Sequence, residues 1–196
     1  EYEAKVKHDP YAALRFPAYR LFSIGWMVAV IGSQMTAVAL GWEIYDRTHE
    51  SVWLGYLAGV QMIPLIFLAL PAGVIADRVD RRRLVQVTAF FNAMCSLGLA
   101  FLSYHAHSLP WMILLVGLSG AILTLGRPAR SAILPRLVPP ADFANAITWS
   151  SSIFQISAML GPALGGLLIG RSQRIFHSLA LPYALDGISA LFYALM

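Results

Sequence analysis

Residues 52–83 read VWLGYLAGVQMIPLIFLALPAGVIADRVDRRR, and this stretch decides the class of the protein. Its first part, residues 52–76, carries no charge. A helix needs about 20 mostly apolar residues to cross a bilayer, so this run is long enough. Four arginines and two aspartates follow at once, within residues 77–83. The pattern predicts a transmembrane helix whose last turn meets a charged loop at the membrane surface.

Similar apolar runs fill most of the rest of the chain, and the charges lie between them. The final run, residues 178–196, contains Asp186 as its one charged residue. The runs are continuous, whereas a barrel strand alternates over about 10 residues, so they indicate helices. The predicted spans are 21–45, 52–76, 84–104, 110–136, 142–170 and 179–196.

The composition agrees with a membrane protein. Hydrophobic residues make up 58% of the chain, charged residues 12%, and the mean hydropathy is +0.66. Soluble domains carry about 25% charged residues, so a very apolar soluble bundle is the less favoured alternative. The fold class is an all-α membrane protein, a six-transmembrane-helix bundle over residues 21–196. Residues 1–20 are expected to form a cytoplasmic or interfacial segment.

The basic residues predict the orientation of the bundle. With a cytoplasmic amino terminus, eleven of the 14 lysines and arginines fall on the cytoplasmic side. Arg47, Arg171 and Arg174 are the three on the outer side. The positive-inside rule therefore places the amino terminus in the cytoplasm. The net charge of +4 comes from these loops. The basic residues do not form the stripe that is typical of nucleic-acid binding.

The loop after the second predicted span contains the strongest motif. An arginine cluster alone is explained by topology, because it holds a loop inside. That explanation leaves out Asp77, a carboxylate at the membrane edge that needs a partner. Asp77 precedes Arg81 by four residues, so the two side chains meet if helical geometry continues. The motif residues are Gly73, Asp77, Arg78, Asp80, Arg81 and Arg82.

This segment resembles the loop between helices 2 and 3 of the major facilitator superfamily, G-x-x-x-D-R-x-G-R-R. Asp80 stands where that pattern has glycine. Aspartate tolerates a left-handed turn better than most residues, so the turn is expected to survive. A second block, Gly161, Pro162, Gly165 and Gly166, resembles the G-P-x-x-G-G motif of the superfamily's exporters. Together with residues 32–55 and 128–146, these blocks are similar to the drug and siderophore exporter branch, which includes enterobactin exporters.

The resemblance implies a fold and a function. Superfamily members have two six-helix halves with the substrate between them near the midplane. The chain is similar to the amino-terminal half, so the carboxy-terminal six-helix half is expected to be missing from it. The expected function is secondary active export of a small amphipathic compound, drug-like or a siderophore, by an antiporter in a bacterial inner membrane. The alternative is a half-length membrane subunit that dimerises or does not transport.

Polar residues within the spans are candidates for a substrate cavity. Gln34 is favoured because helices 1 and 4 line the pathway in the resembled family. Gln61 and Asn92 are interpreted as hydrogen-bonding to neighbouring helices. The cavity candidates are Gln34, Arg127, Ser152 and Gln155.

Two carboxylates near the outer membrane depth are candidates for proton coupling. An ionisable residue inside a span is costly and indicates a functional site. Asp186 lies further into its run than Glu43, for which a solvated helix end is the favoured alternative. Protons are therefore the expected coupling ion, alongside a small-molecule substrate and the lipid bilayer.

Other classes of site find no support in the sequence. His105 and His107 flank one residue, and two histidines without a third ligand make a poor metal site. Neither a phosphate-binding loop nor a dinucleotide fingerprint is present, so no cofactor is expected. A membrane-embedded enzyme would need a convergent catalytic set, and we find no nucleophile–base pair.

Overall fold

The computed structural model describes residues 9–105 and 108–196, and within them the protein is all helical. Six α-helices follow a short 3₁₀ turn at Ala12–Arg15. They are α1 (Pro17–Thr48), α2 (Val52–Arg78), α3 (Arg81–Tyr104), α4 (Leu109–Ile133), α5 (Phe143–Phe176) and α6 (Ala180–Leu195). Further 3₁₀ turns at Leu134–Arg136 and Pro140–Asp142 join α4 to α5.

Five of the described helices are long and apolar enough to cross a membrane. α6 has 16 residues, fewer than the roughly 20 that a span needs, so the sixth span stays a prediction. Large apolar side chains cover the outside of the bundle; Leu70, Leu167 and Met159 are among the most exposed. Such a surface is stable against lipid and would aggregate in water.

Several helix ends differ from those predicted. α1 begins at Pro17, where a proline suits the first helical position, and runs past residue 45 to Thr48. α5 continues through most of the outer loop expected at residues 171–177, because Arg171 and Arg174 are good helix formers. Pro128 lies inside α4 without ending it, and the helix continues to Ile133, three residues short of the predicted end. Asp142 precedes α5, but its side chain makes no capping hydrogen bond.

The helices pair in an order unlike their order in the chain. α1 packs against α5 and α6, α3 packs against α4 and α6, and α2 packs against α4. α1 and α2 share few contacts, as do α2 and α3. Of the five long helices, α3 is the most buried and α2 is the most exposed.

Two larger apolar clusters lie in the bundle, one toward each end, and a smaller third cluster joins Ala13 and Tyr19 to Ala146 of α5. The first contains Leu40, Leu99 and Tyr183, and the second contains Trp26, Val85 and Tyr193. The second lies toward the end that holds residues 79–80, which we call the arginine-loop end. Side chains with hydroxyl, amide and carboxyl groups lie between the two clusters, and they form the site described below.

The amino-terminal segment packs onto the beginning of α5. Asn145 donates a hydrogen bond to the carbonyl of Pro10 at 2.8 Å and accepts one from the N–H of Ala13 at 3.1 Å. Trp149 donates to the same Pro10 carbonyl at 2.8 Å. Residues 9–16 are therefore held against the bundle by hydrogen bonds between their backbone and side chains of α5. Residues 1–8, including Lys5 and Lys7 of the charge pattern, lie outside the described residues, as does His107.

Candidate functional site

A polar cleft of about 100 Å³ lies between the two apolar clusters. Five helices line it: α1, α2, α3, α4 and α6. Its polar lining is supplied by Ser33, Thr36, Gln61, Asn92, Ser96, Ser119 and Asp186. Neither Gln61 nor Asn92 was among the cavity candidates. Asn92 of α3 accepts a hydrogen bond from Ser119 of α4 at 2.7 Å. The sequence analysis had interpreted Asn92 as a residue that bonds a neighbouring helix.

Asp186 is the one carboxylate among the residues that line this cleft. Its side chain is 2% exposed. The Oδ2 atom accepts hydrogen bonds from Ser96 of α3 at 2.7 Å and from Thr36 of α1 at 3.2 Å. The Oδ1 atom has no hydrogen-bond partner among the described residues. A buried carboxylate with one unsatisfied oxygen is costly, and such groups mark functional positions.

Glu43 lies further toward the opposite end of α1, in a different environment. A solvated helix end was the favoured interpretation, and it is wrong, because Glu43 is 5% exposed. The carboxylate forms an ion pair with Arg47 on the same helix and accepts a 2.7 Å hydrogen bond from the hydroxyl of Tyr183 on α6. Both oxygens are thus bonded. A role for Glu43 in proton coupling stays a prediction.

The four cavity candidates are spread over different places. Gln34 packs with its Cβ against Gly161 of α5 and does not line the cleft. Ser152 lines a separate groove of about 300 Å³ beside Pro10 and Trp149, and donates to the Thr148 carbonyl at 3.0 Å. Arg127 and Gln155 are exposed on α4 and α5. The structure does not bring these four together, and their roles stay predictions.

The glycines of the helix 5 motif have two different surroundings. A Cβ on Gly161 would lie 3.0 Å from the carbonyl oxygen of Ile31, and one on Gly165 would lie 3.1 Å from Cα of Met35. These two glycines therefore let α5 approach the backbone of α1. Nothing lies within 4 Å of a Cβ on Gly166. Pro162 is accommodated inside α5 without ending it.

The arginine-rich motif forms a tighter junction than the sequence predicted. α2 ends at Arg78 and α3 begins at Arg81, so Val79 and Asp80 alone connect them. The helical geometry expected between Asp77 and Arg81 is broken, and these two do not form an ion pair. Arg81 instead donates to the carbonyl of Ala132 near the end of α4, at 3.1 Å. Basic groups at this position stabilise the carbonyl end of a helix.

Asp80 acts as the amino-terminal cap of α3. Its carboxylate accepts a hydrogen bond from the N–H of Arg83 at 3.0 Å, and this bond holds the pKa of Asp80 below its ordinary value. The backbone of Asp80 has φ −57° and ψ 117°, so the left-handed turn expected there does not form. Aspartate is favoured at this position as a cap, which explains its presence in place of glycine.

The side chain of Asp77 is exposed at the end of α2, within the part of the chain that the structure describes. A Cβ on Gly73, one turn earlier, would meet nothing within 4 Å. Residues four apart share a helix face, so Gly73 and Asp77 present an open face at the arginine-loop end.

The helical fold of the described residues is consistent with a match to a known protein family. A family model described as a transmembrane secretion effector of the major facilitator superfamily matches residues 8–195. The chain belongs to this family. No solved structure matches the chain significantly.

The curated relatives that this chain matches are named for transport. It is 28% identical over 150 residues to the staphyloferrin A transporter of Staphylococcus aureus. It is 27% identical over 161 residues to the multidrug efflux pump Tap of Mycobacterium tuberculosis, and 25% identical over 145 residues to macrolide efflux protein A of Streptococcus pyogenes. The matches cover 76%, 79% and 74% of the chain but 37%, 38% and 36% of the relatives. These relatives are transporters and not enzymes.

Proposed function

We propose that this chain is the amino-terminal half of a proton-coupled exporter that works by alternating access. A second six-helix half completes the transporter, since the chain spans little more than a third of the relatives it matches. The substrate is a small amphipathic compound, and the transporter lies in the inner membrane of a bacterium. The observation that carries the proposal is the buried Asp186 in the wall of a cleft between helices.

Asp186 is the favoured proton carrier. It sits near the middle of the helices, where α1, α3 and α6 meet, and hydroxyls hold one of its oxygens. A carboxylate held in this way can bind and release a proton without losing its place. A proton bound on one side of the membrane and released on the other would drive export against a gradient.

The test is transport by the protein as its gene encodes it, reconstituted in proteoliposomes with an imposed pH gradient. A fluorescent amphipathic dye serves as the substrate. The wild-type protein should accumulate the dye in proportion to the pH gradient, and Asp186→Asn should respond at most weakly to that gradient. An Asp186→Asn protein that pumps normally across the pH range would remove the carboxylate from the coupling step.

The open face of α2 supports a gating role for the arginine-rich motif. Gly73 leaves space beside Asp77, and the Asp77 side chain is exposed. We propose that the second half contacts this face in the state closed to the cytoplasm, where a helix amino terminus would favour the carboxylate. Only an interaction made in one state and lost in the other shifts the equilibrium between them.

Neutralising Asp77 should therefore favour the inward-open state. Asp77→Asn should insert normally and export poorly, and spin-label distances across the cytoplasmic mouth should lengthen. Asp80→Gly is the matched control, because glycine is tolerated at a helix cap and the change restores the usual family residue. Unchanged distances and full export for Asp77→Asn would leave the motif with a topological role alone.

The proposed orientation has its own test. Arginine bias places residues 79–80 in the cytoplasm and the amino terminus on the same side. A cysteine introduced at Val79, which is exposed, should resist an impermeant maleimide added to intact cells. Labelling of this cysteine from outside the cell would show that the protein has the opposite orientation.

A further inference from the structure

Arg130 on α4 lies over the face of an aromatic ring on α1. Its guanidinium carbon is 4.2 Å from the centroid of the Trp26 ring. Trp26 is 9% exposed and belongs to the apolar cluster toward the arginine-loop end. A cation above an aromatic face is attracted to the ring, so this contact holds the guanidinium in place. It also joins two helices, α1 and α4, that do not pack closely against each other.

The N–H groups of the Arg130 side chain have no oxygen acceptor. Within the part of the chain that the structure describes, no group accepts a hydrogen bond from this side chain and no carboxylate lies within ion-pair distance. Arg127, three residues earlier on α4, repels it electrostatically. An aromatic ring attracts the charge but supplies no oxygen for these donors. A partly buried cation in such surroundings is costly until an anion joins it.

The free donors of Arg130 are open to a ligand. The side chain is only partly buried, and its nitrogens are not among the enclosed polar atoms. A guanidinium presents five N–H donors in a planar fork, and two of them match the two oxygens of a carboxylate or a phosphate. The apolar Trp26 ring lies directly beside this fork. An oxyanion carried on an apolar molecule suits both groups.

The surroundings of Arg130 favour a small compound over a membrane lipid as the source of that oxyanion. The cluster that contains Trp26 also contains Val85 of α3, Ile153 of α5 and Tyr193 of α6, and it draws residues from all six helices. The guanidinium therefore rests on the interior of the bundle. A lipid phosphate would meet the outward surface instead, where large apolar side chains are exposed.

We propose that Arg130, with Trp26 beside it, binds the carboxylate or phosphate group of an amphipathic compound. This assignment rests on the proposed export function and names amphipathic anions as the substrate class. In the proposed orientation the arginine-loop end faces the cytoplasm, from which an exporter takes its substrate. Arg81, at the same end, does not share this role, because it donates to the carbonyl of Ala132.

The test is binding by the purified protein as its gene encodes it, in detergent and without a pH gradient. Dansylaminohexanoic acid carries a carboxylate that is ionised at about pH 7.5, and its methyl ester has the same fluorophore without the charge. Saturable fluorescence enhancement should appear with the acid, and the ester should bind at least tenfold more weakly. If a side chain of the second half already occupied Arg130, the acid would not bind.

Two variants examine the site and a third controls for the loss of charge. Arg130→Gln should weaken binding of the acid at least tenfold, as expected for charge-assisted hydrogen bonds, and should leave the ester unaffected. Arg130→Lys keeps the charge without the planar fork and should give an intermediate affinity. Arg83→Gln removes an exposed arginine at the same end of the bundle and should have no effect. Thermal unfolding shows whether each variant is folded, and the two probes on the wild-type protein need no variant.

The outcomes separate this inference from the proposed function. The assignment is overturned if the acid does not bind saturably, if the acid and the ester bind alike, or if Arg83→Gln weakens binding as much as Arg130→Gln. Displacement of the acid by phosphatidylglycerol, but not by phosphatidylcholine, would assign the site to a lipid headgroup and overturn it as well. Binding of the acid without transport in proteoliposomes would defeat the export proposal alone, and transport without discrimination between the probes would defeat the site alone.

Discussion

α1 packs against two helices by two different means. Near its middle it meets α5 through glycines, with Gly161 and Gly165 against the backbone of residues 31–35. It also approaches α6 closely at a glycine, because a Cβ on Gly32 would lie 3.0 Å from Cα of Asp186. Polar groups join these two helices as well, since Thr36 donates to Asp186 and Glu43 accepts from Tyr183. Lipid gives helices no hydrophobic reason to associate, so shape and hydrogen bonds are the means available. The α1–α5 interface leaves no space for an added methyl group at Gly161, and the α1–α6 interface loses stability when one of these hydrogen-bonding partners is removed.

The largest effect is expected at the glycine interface. Gly161→Ala places a methyl group against Gln34 and 3.0 Å from the Ile31 carbonyl, so α1 and α5 must separate. We expect a loss of about 1–3 kcal/mol in the free energy of unfolding, measured by SDS titration of the protein in detergent micelles. Gly166→Ala, in the same motif, meets nothing within 4 Å and should change stability by less than about 0.5 kcal/mol. Equal losses for the two variants would refute a steric role for Gly161.

At the polar interface, Glu43→Gln should have the next largest effect. The amide can still accept from Tyr183 but no longer neutralises Arg47. Breaking a fully buried ion pair costs about 3–5 kcal/mol. The Arg47 side chain is 26% exposed, so we expect about 1–2 kcal/mol on the same SDS titration. Asp46→Asn is the matched control. If Glu43→Gln lowers the free energy of unfolding no more than Asp46→Asn does, the Glu43–Arg47 ion pair does not stabilise the bundle.

Removing the tyrosine hydroxyl should cost less. Tyr183→Phe deletes one interhelical hydrogen bond, and such bonds in membranes contribute about 0.6 kcal/mol on average and at most about 1.7. Thermal unfolding followed by circular dichroism should show that loss. A double-mutant cycle with Glu43→Gln should be non-additive, since both changes act on one contact. Additive losses would mean that the hydroxyl and the carboxylate stabilise the bundle independently.

Thr36→Val should have the smallest effect on stability. Its bond to Asp186 is 3.2 Å long, and Ser96 donates to the same oxygen at 2.7 Å. We therefore expect no more than about 0.6 kcal/mol from the same thermal measurement. Ser96→Ala removes the shorter bond and serves as the comparison. A larger loss for Thr36→Val than for Ser96→Ala would reverse the assigned ranking of the two bonds.

The helices were predictable because lipid imposes a continuous requirement on the sequence. An uncharged run such as residues 52–76 indicates a helix wherever it occurs, since the backbone must satisfy its own hydrogen bonds in a membrane. The same requirement says nothing of where a helix ends beyond the lipid. α5 continues through Arg171 and Arg174, whereas the charge pattern alone predicted an outer loop there.

The site was predictable in part. A carboxylate inside an apolar run identified Asp186, but its partners Thr36 and Ser96 lie 150 and 90 residues away. Glu43 was misjudged for the same reason, because its partner Tyr183 is 140 residues distant. Spacing alone could not separate the glycines either. Gly55 and Gly59 are spaced like Gly161 and Gly165, yet a Cβ on either of the first two meets nothing within 4 Å.

The pairing of α1 with α5 and α6 has a consequence for the biogenesis of the protein. α1 leaves the ribosome before the other five helices, and it shares few contacts with α2, the next helix to follow. At about 5–20 residues per second, synthesis from Thr48 to Ala180 takes roughly 7–26 seconds. During that interval Glu43 has Arg47 on its own helix, while its bond to Tyr183 must wait for α6. The intrahelical ion pair thus neutralises Glu43 within α1 while α1 lies in the bilayer before α6 is inserted.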